Sequence, residues 1–198
     1  MKIPVFIRQV PSRRHLVDTV VSTLTAEGWP GPILRIECSQ DPERSPIDRH
    51  MAVFTEAMRR QRWRDSRNRS EGGLHMEDDI ELVEGFTGKM LNLIEDHPGT
   101  VIQGFNRSTF RARYGSGWNA AFTGLQCFYL PKHYADDLLR FQKCSQPYRY
   151  VDGLTDSWMR HREERVWVPI PSLVQHLAVE SAIDPSRPMD RQAKDLRA

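Results

Sequence analysis

The chain has 198 residues, 39% of them hydrophobic, with 28 basic against 26 acidic side chains and a formal net charge of +2. That length predicts a single domain burying about 70% of its unfolded surface, and near-neutrality leaves affinity for a polyanion to local clustering. Cys38, Cys127 and Cys144 are odd in number and form no C-x-x-C pair, which argues against a disulfide framework or zinc site. With no run approaching about 18 apolar residues, a cytoplasmic protein without a membrane span is expected.

In chain order, Ile3 to Val10 is continuously apolar enough for a strand covered on both faces, ended by Pro11. From Ser12, a candidate N-cap, the spacing of Leu16, Val17, Val20, Val21 and Leu24 predicts a helix that stops at Gly28 and Pro30. A second short strand follows at Ile33 to Glu37, then the loop Cys38 to Pro42. This strand, helix, strand opening predicts a parallel α/β sheet, whose ligands bind beyond the carboxyl ends of the strands. Arg8 to Arg14 and Ser39 to Asp41 are therefore expected near any site.

Ile47 to Asp65 reads as a helix with Met51, Phe54 and Met58 on one face. Its end and the loop beyond carry Arg59, Arg60, Arg62, Arg64, Arg67 and Arg69 against one acid, Asp65, with Trp63 among them. A solvated helix end that complements the dipole and a surface for phosphates are both open readings.

The stretch Gly73 to Leu82 reads as an apolar approach, three carboxylates (Glu77, Asp78, Asp79) and an apolar exit. Adjacent like charges at the end of a buried strand call for a cation. Hard oxygen ligands suit Mg²⁺ or Mn²⁺, which take few protein carboxylates and fill their shell with waters and substrate phosphates. A nucleoside diphosphate held through a metal is one reading, and a solvated acidic turn is the other.

Beyond it the sequence predicts a helix over Phe86 to Ile94, a strand over Thr100 to Phe105, and a long substrate-facing loop from Asn106 to Gly124 that includes Trp118. Leu125 to Leu130 is a strand, with Pro131 opening a helix to about Gln142. Asp152 is a candidate N-cap, Arg165 to Pro169 is strand-like, and from Asp184 the chain becomes polar and tail-like.

Met76-Glu77-Asp78-Asp79, Gly124 to Pro131 and Pro171-Ser172-Leu173-Val174-Gln175-His176, in that order, resemble glycosyltransferases of the GT-A fold, most of all bacterial and phage-type enzymes with an E-D-D motif. The resemblance implies a Rossmann-like αβα sandwich with a mainly parallel mixed sheet over residues 1–183 and a tail over 184–198. It implies a nucleoside-diphosphate sugar donor, with a UDP-sugar first among them. It also implies Mn²⁺ or Mg²⁺ on Asp79, with Glu77 and the late His176 as further ligands and Asp78 beside the donor. By position alone, Arg8, Arg13, Arg14 and Asp41 would hold base, ribose and phosphate. A carboxylate base for an inverting transfer falls on Asp152, or on Asp156 one turn later. The acceptor implied is a glycan or lipid-linked saccharide. A hydroxylated base in duplex DNA, contacted by Arg59, Arg62, Arg64, Arg67 and Trp118, would instead account for the arginines. Two other classes stand beside the transferase. A nucleotidyltransferase is disfavoured by the absence of glycine from Val10 to Arg14. A non-catalytic nucleic-acid-binding domain would use the arginines alone.

Overall fold

The structure is a computed structural model describing residues 2–106, 116–119, 122, 124–145, 148, 150–181 and 193. It forms one α/β domain built on a mixed sheet. Strand β1 (Val5–Gln9) leads through a 3-10 turn at Pro11–Arg13 into helix α1 (Arg14–Ala26), then β2 (Ile33–Glu37) and helix α2 (Pro46–Asp65). Strand β3 (Gly72–Glu77) ends at the acids and is followed by β4 (Ile80–Leu82) and helix α3 (Phe86–Asp96). Then come β5 (Ile102–Gln103), β6 (Gly117–Asn119), β7 (Cys127–Pro131), helices α4 (Tyr134–Cys144) and α5 (Val151–His161), β8 (Val166–Val168) and β9 (Val174–His176).

The main sheet runs β2-β1-β3-β7-β5-β8-β6. The first three strands are mutually parallel, as the opening pattern predicts, and β5 is parallel to β8. Strand β7 runs against both β3 and β5, and β6 against β8. Alternate side chains divide into two cores. Val5, Ile7, Leu74, Met76, Cys127 and Tyr129 pack with residues of α1 and α3. Phe6, Phe128 and Leu130 pack on the other face with α2, α4 and α5 around the fully buried Trp158. On that second face the register Phe6↔His75↔Phe128 stacks the His75 ring between two phenyl rings, each 4.9 Å away. His75 Nε2 donates to Gln61 Oε1 at 2.7 Å, and burial followed by the charge of Arg8 holds its pKa well below the ordinary range.

Four local expectations change. Ser12 lies within the 3-10 turn rather than capping α1, and Asp152 lies in the first turn of α5, whose N-cap is Tyr150. Pro131 closes β7 opposite Gly72, at the strand end where a missing N–H costs little, and α4 begins only at Tyr134. Residues 117–119, expected within a long loop, form the edge strand β6, whose partner β8 lies far away in sequence; 107–115 lie outside the described residues. Among the described residues no helix is long and apolar enough to cross a membrane.

Candidate functional site

A cavity of about 330 Å³ opens beyond the carboxyl ends of β1, β2 and β3, lined on one side by the first turns of α2 and by Asp152 at the start of α5. The acids reach it because β3 ends at Glu77 and the chain turns through Asp78 and Asp79 before β4. Strand β4 pairs antiparallel with β9, placing Ile80 opposite His176, and the Leu177 N–H donates to the Asp79 carbonyl at 2.8 Å. This two-stranded ribbon carries a histidine about a hundred residues away in sequence to the acid turn: His176 Nε2 lies 3.5 Å from Asp79 Oδ2.

Each acid has its own surroundings. Asp78 Oδ2 accepts the Val10 N–H at 2.6 Å, and Arg13 Nη1 bridges Asp78 Oδ1 (3.0 Å) and Asp79 Oδ2 (2.8 Å) while Nη2 donates to the Glu180 carbonyl. Burial raises the Asp78 pKa, against the Val10 N–H and Arg13. Glu77 turns instead toward Arg8 and His50, each 3.9 Å from its Oε1, and burial pushes its carboxyl up to about 8 against the charge of Arg8. Arg8 is 3% exposed, with Nη2 donating to the Leu125 carbonyl at 2.7 Å and its guanidinium between the rings of Phe54 and Phe128.

Several pocket atoms lack partners. Arg8 Nη1, Gln9 Oε1, Asp79 Oδ1 and Gln126 Oε1 are buried without a hydrogen-bond partner among the described residues. Each such atom costs about 1–3 kcal/mol, so together they favour a polar occupant. Gly124, at φ 152°, leaves room for the Gln126 amide, since a Cβ there would come within 2.3 Å of Gln126 Oε1.

Two groups of the pocket could serve a divalent cation as ligands. A backbone carbonyl only accepts, so the 2.7 Å contact of His176 Nδ1 with the Leu177 carbonyl puts a proton on Nδ1 and leaves Nε2, in the neutral ring, as a lone-pair donor beside Asp79. Asp79 Oδ1 supplies a second buried donor. Among the described residues no three carboxylate, thiol or imidazole groups converge as they stand, and Arg13 Nη1 supplies the positive charge between the two aspartates.

The pocket thus gathers Arg8, Arg13, Glu77, Asp78, Asp79, Asp152 and His176 from the sequence-predicted set. Others lie outside its lining. Arg14 pairs with Glu37 at 2.8 Å and Asp41 with Arg44 at 3.3 Å. Asp156 accepts the Phe122 N–H at 2.9 Å and pairs with Arg160. Trp118 packs on Trp167 and His97 at the β6 edge. Arg59, Arg62, Arg64 and Arg67 stand at the other end of α2 and in the loop after it. Arg49, His50 and Gln126 line the pocket without having been singled out for a role. The Ser45-Pro46 helix start, immediately after the loop at the end of β2, was the signal that could have found Arg49 and His50.

No protein-family model and no curated protein sequence matches the chain. Solved structures do. A glycosyltransferase involved in glycosylation of the major capsid of the virus PBCV-1 matches with TM-score 0.56 at 13% identity, over 90% of this chain and 94% of its own. The protein A197 from STIV matches with TM-score 0.52 at 10% identity, over 88% and 85%. A Drosophila β-1,4-galactosyltransferase 7 mutant in complex with manganese, UDP-Gal and xylobiose matches with TM-score 0.52 at 9% identity, over 86% and 67%. These likenesses show a GT-A-like fold.

Proposed function

We propose that this chain is a metal-dependent glycosyltransferase moving a sugar from a nucleoside-diphosphate sugar, a UDP-sugar first among them, to an acceptor hydroxyl. The observation that carries this reading is the meeting of Asp78, Asp79, His176, Asp152 and buried unpartnered polar atoms in one cavity at the carboxyl ends of the parallel strands. A similarly folded galactosyltransferase held with manganese, UDP-Gal and xylobiose supports it. Asp79 and His176 would hold Mn²⁺ or Mg²⁺, which when bound stabilises charge on the departing diphosphate. Arg8, Arg13 and Arg49 would bind the donor's phosphates, a task suited to the two-point contacts of guanidinium groups. Asp152 would accept the acceptor's proton as its oxygen bonds to the anomeric carbon and the bond from that carbon to the diphosphate breaks. The transferase domain would comprise residues 1–183, and the 184–198 tail would be tied down through Ala193, which is buried and donates its N–H to Gln175 Oε1 at 2.7 Å.

Calorimetric titration of a panel of nucleoside diphosphates and their sugars, with and without Mn²⁺, tests this. Wild type is expected to bind one nucleotide class only with metal, and Asp79→Ala to weaken that binding at least about tenfold, or about 1.4 kcal/mol. No binding anywhere in the panel by folded wild-type protein overturns the reading.

A further inference from the structure

Helix α2 forms one wall of the pocket and then runs on past it. Arg49 and Val53 line the pocket. Glu56, Arg60 and Arg64 continue at spacings of three and four, which keeps them on the same helix face. With Trp63 they line a second depression of about 350 Å³ that also includes Leu34 of β2, just as Cys38, the residue after β2, lines the pocket. The two hollows therefore follow one another along the seam between α2 and β2, with Arg49 and Arg64 about 22 Å apart at about 1.5 Å per residue.

Charge along this seam is only partly balanced. Arg60 pairs with Glu56 at 2.9 Å and Arg62 with Asp136 at 3.6 Å, but among the described residues Arg59, Arg64, Arg67 and Arg69 have no carboxylate within 4.0 Å. Trp63 is 46% exposed, and the guanidinium groups of Arg67 and Arg69 lie 4.2 and 5.3 Å from its ring centroid. The ring thus braces two cations, a contact that favours presenting charge over stacking a base. Four arginines with no carboxylate within 4.0 Å among the described residues thus stand within eleven positions of one another, in a chain whose formal net charge is only +2.

We propose that this seam is a docking track for duplex DNA, leading the acceptor nucleotide to the pocket; the proposal rests on the transferase reading and names its acceptor class. The chemistry favours phosphates. Residues 59–69 contain six arginines and no lysine, and guanidinium groups make two-point contacts to phosphate. A span of about 22 Å covers about six base steps at about 3.4 Å each. With Trp63 already occupied by arginines, the track suits the continuous phosphates of a duplex better than the splayed bases of a single strand. A lipid surface fits less well, because the apolar face of α2 (Phe54, Ala57, Met58) is buried in the core and leaves little to insert. A base hydroxyl would reach the pocket from the major groove or by extrusion.

The test is fluorescence anisotropy of a labelled DNA duplex titrated with the full chain at about 50 and about 200 mM salt, for wild type, Arg59→Gln/Arg64→Gln and Arg59→Lys/Arg64→Lys. Wild type should bind with affinity falling steeply with salt. The glutamine variant should bind at least tenfold more weakly at the lower salt, with a log–log salt slope shallower by about two at about 0.9 per phosphate contact. The lysine variant should keep the wild-type slope, and manganese-dependent nucleotide binding should be unchanged in both. Absence of duplex binding, equal binding by the glutamine variant, or equal competition by heparin or anionic phospholipid vesicles overturns the track, as does preference for single strands. Loss of nucleotide binding in wild type with DNA docking retained overturns the transferase reading alone.

Discussion

Arg13 stands at the centre of the acid turn, with one guanidinium nitrogen shared between Asp78 and Asp79 and the other on the Glu180 carbonyl. Two carboxylates this buried need a positive charge between them, and Arg13 supplies it. Arg13→Gln should therefore destabilise the metal-free protein by up to about 3 kcal/mol, since it strands charge in a poorly solvated place. Added Mn²⁺ should raise the thermal midpoint of the variant more than that of wild type; equal shifts would show that Arg13 does not stand in the cation's place. Glu77 sets a pH dependence. Its carboxyl keeps its proton to about pH 8 in the fold against an ordinary value of 4.5, so between those values the folded state binds the extra proton and the group's favourable contribution fades as pH rises. Asp78, also raised by burial, acts in the same direction. Urea midpoints of the metal-free protein should fall from about pH 6 to about pH 8, and Glu77→Gln, which keeps the neutral shape, should flatten that decline.

Helix α2 is the element on which the pocket and the basic seam both depend, and its start is built locally. Ser45 accepts the Asp48 N–H at 3.1 Å and Pro46 occupies the first helical position. Its end places Arg62 and Arg64 where the helix dipole favours cations. Ser45→Ala should cost about 1 kcal/mol and lower the thermal midpoint by about 2–4 °C, with a matching loss of hydrogen-exchange protection in the turn bearing Arg49 and His50; an unchanged midpoint would show that the cap is dispensable. The ribbon of β4 and β9 is the other decisive element. Three residues from each strand suffice to seat His176 beside Asp79. Such short strands persist because Ile80 and Val174 are buried in the same core as α1 and α3.

At the scale of the molecule, two cores on opposite faces of one sheet make the carboxyl ends of β1, β2 and β3 a rigid rim. Side chains projecting beyond that rim, where the backbone ladder ends, are the ones left to meet a ligand. The core built around Trp158, the pocket and the basic seam all meet α2, so contacts made at its arginine-rich end and at the reaction pocket share one rigid support.

Periodicity made most elements readable from the chain: β1, α1, β2, α2 and α3 follow from runs of apolar residues at strand or helix spacing, with α1 stopping ahead of Gly28 and Pro30. The acid turn and the late histidine were also visible, because both carry chemistry in the residue type itself. Other features depended on long-range pairing, which local sequence does not encode. The register Ile80↔His176 joins the acid turn to the histidine, and the pairing of β6 with β8 turns part of an apparent loop into a strand. Folding brings Arg49 and His50 to the pocket and leaves Arg14, Asp41, Asp156 and Trp118 outside its lining. Residue types and most local elements follow from the chain alone. Which of them share a cavity follows from the fold, because side-chain direction at a strand end and the packing of α2 against the sheet are set by contacts between residues far apart in the chain.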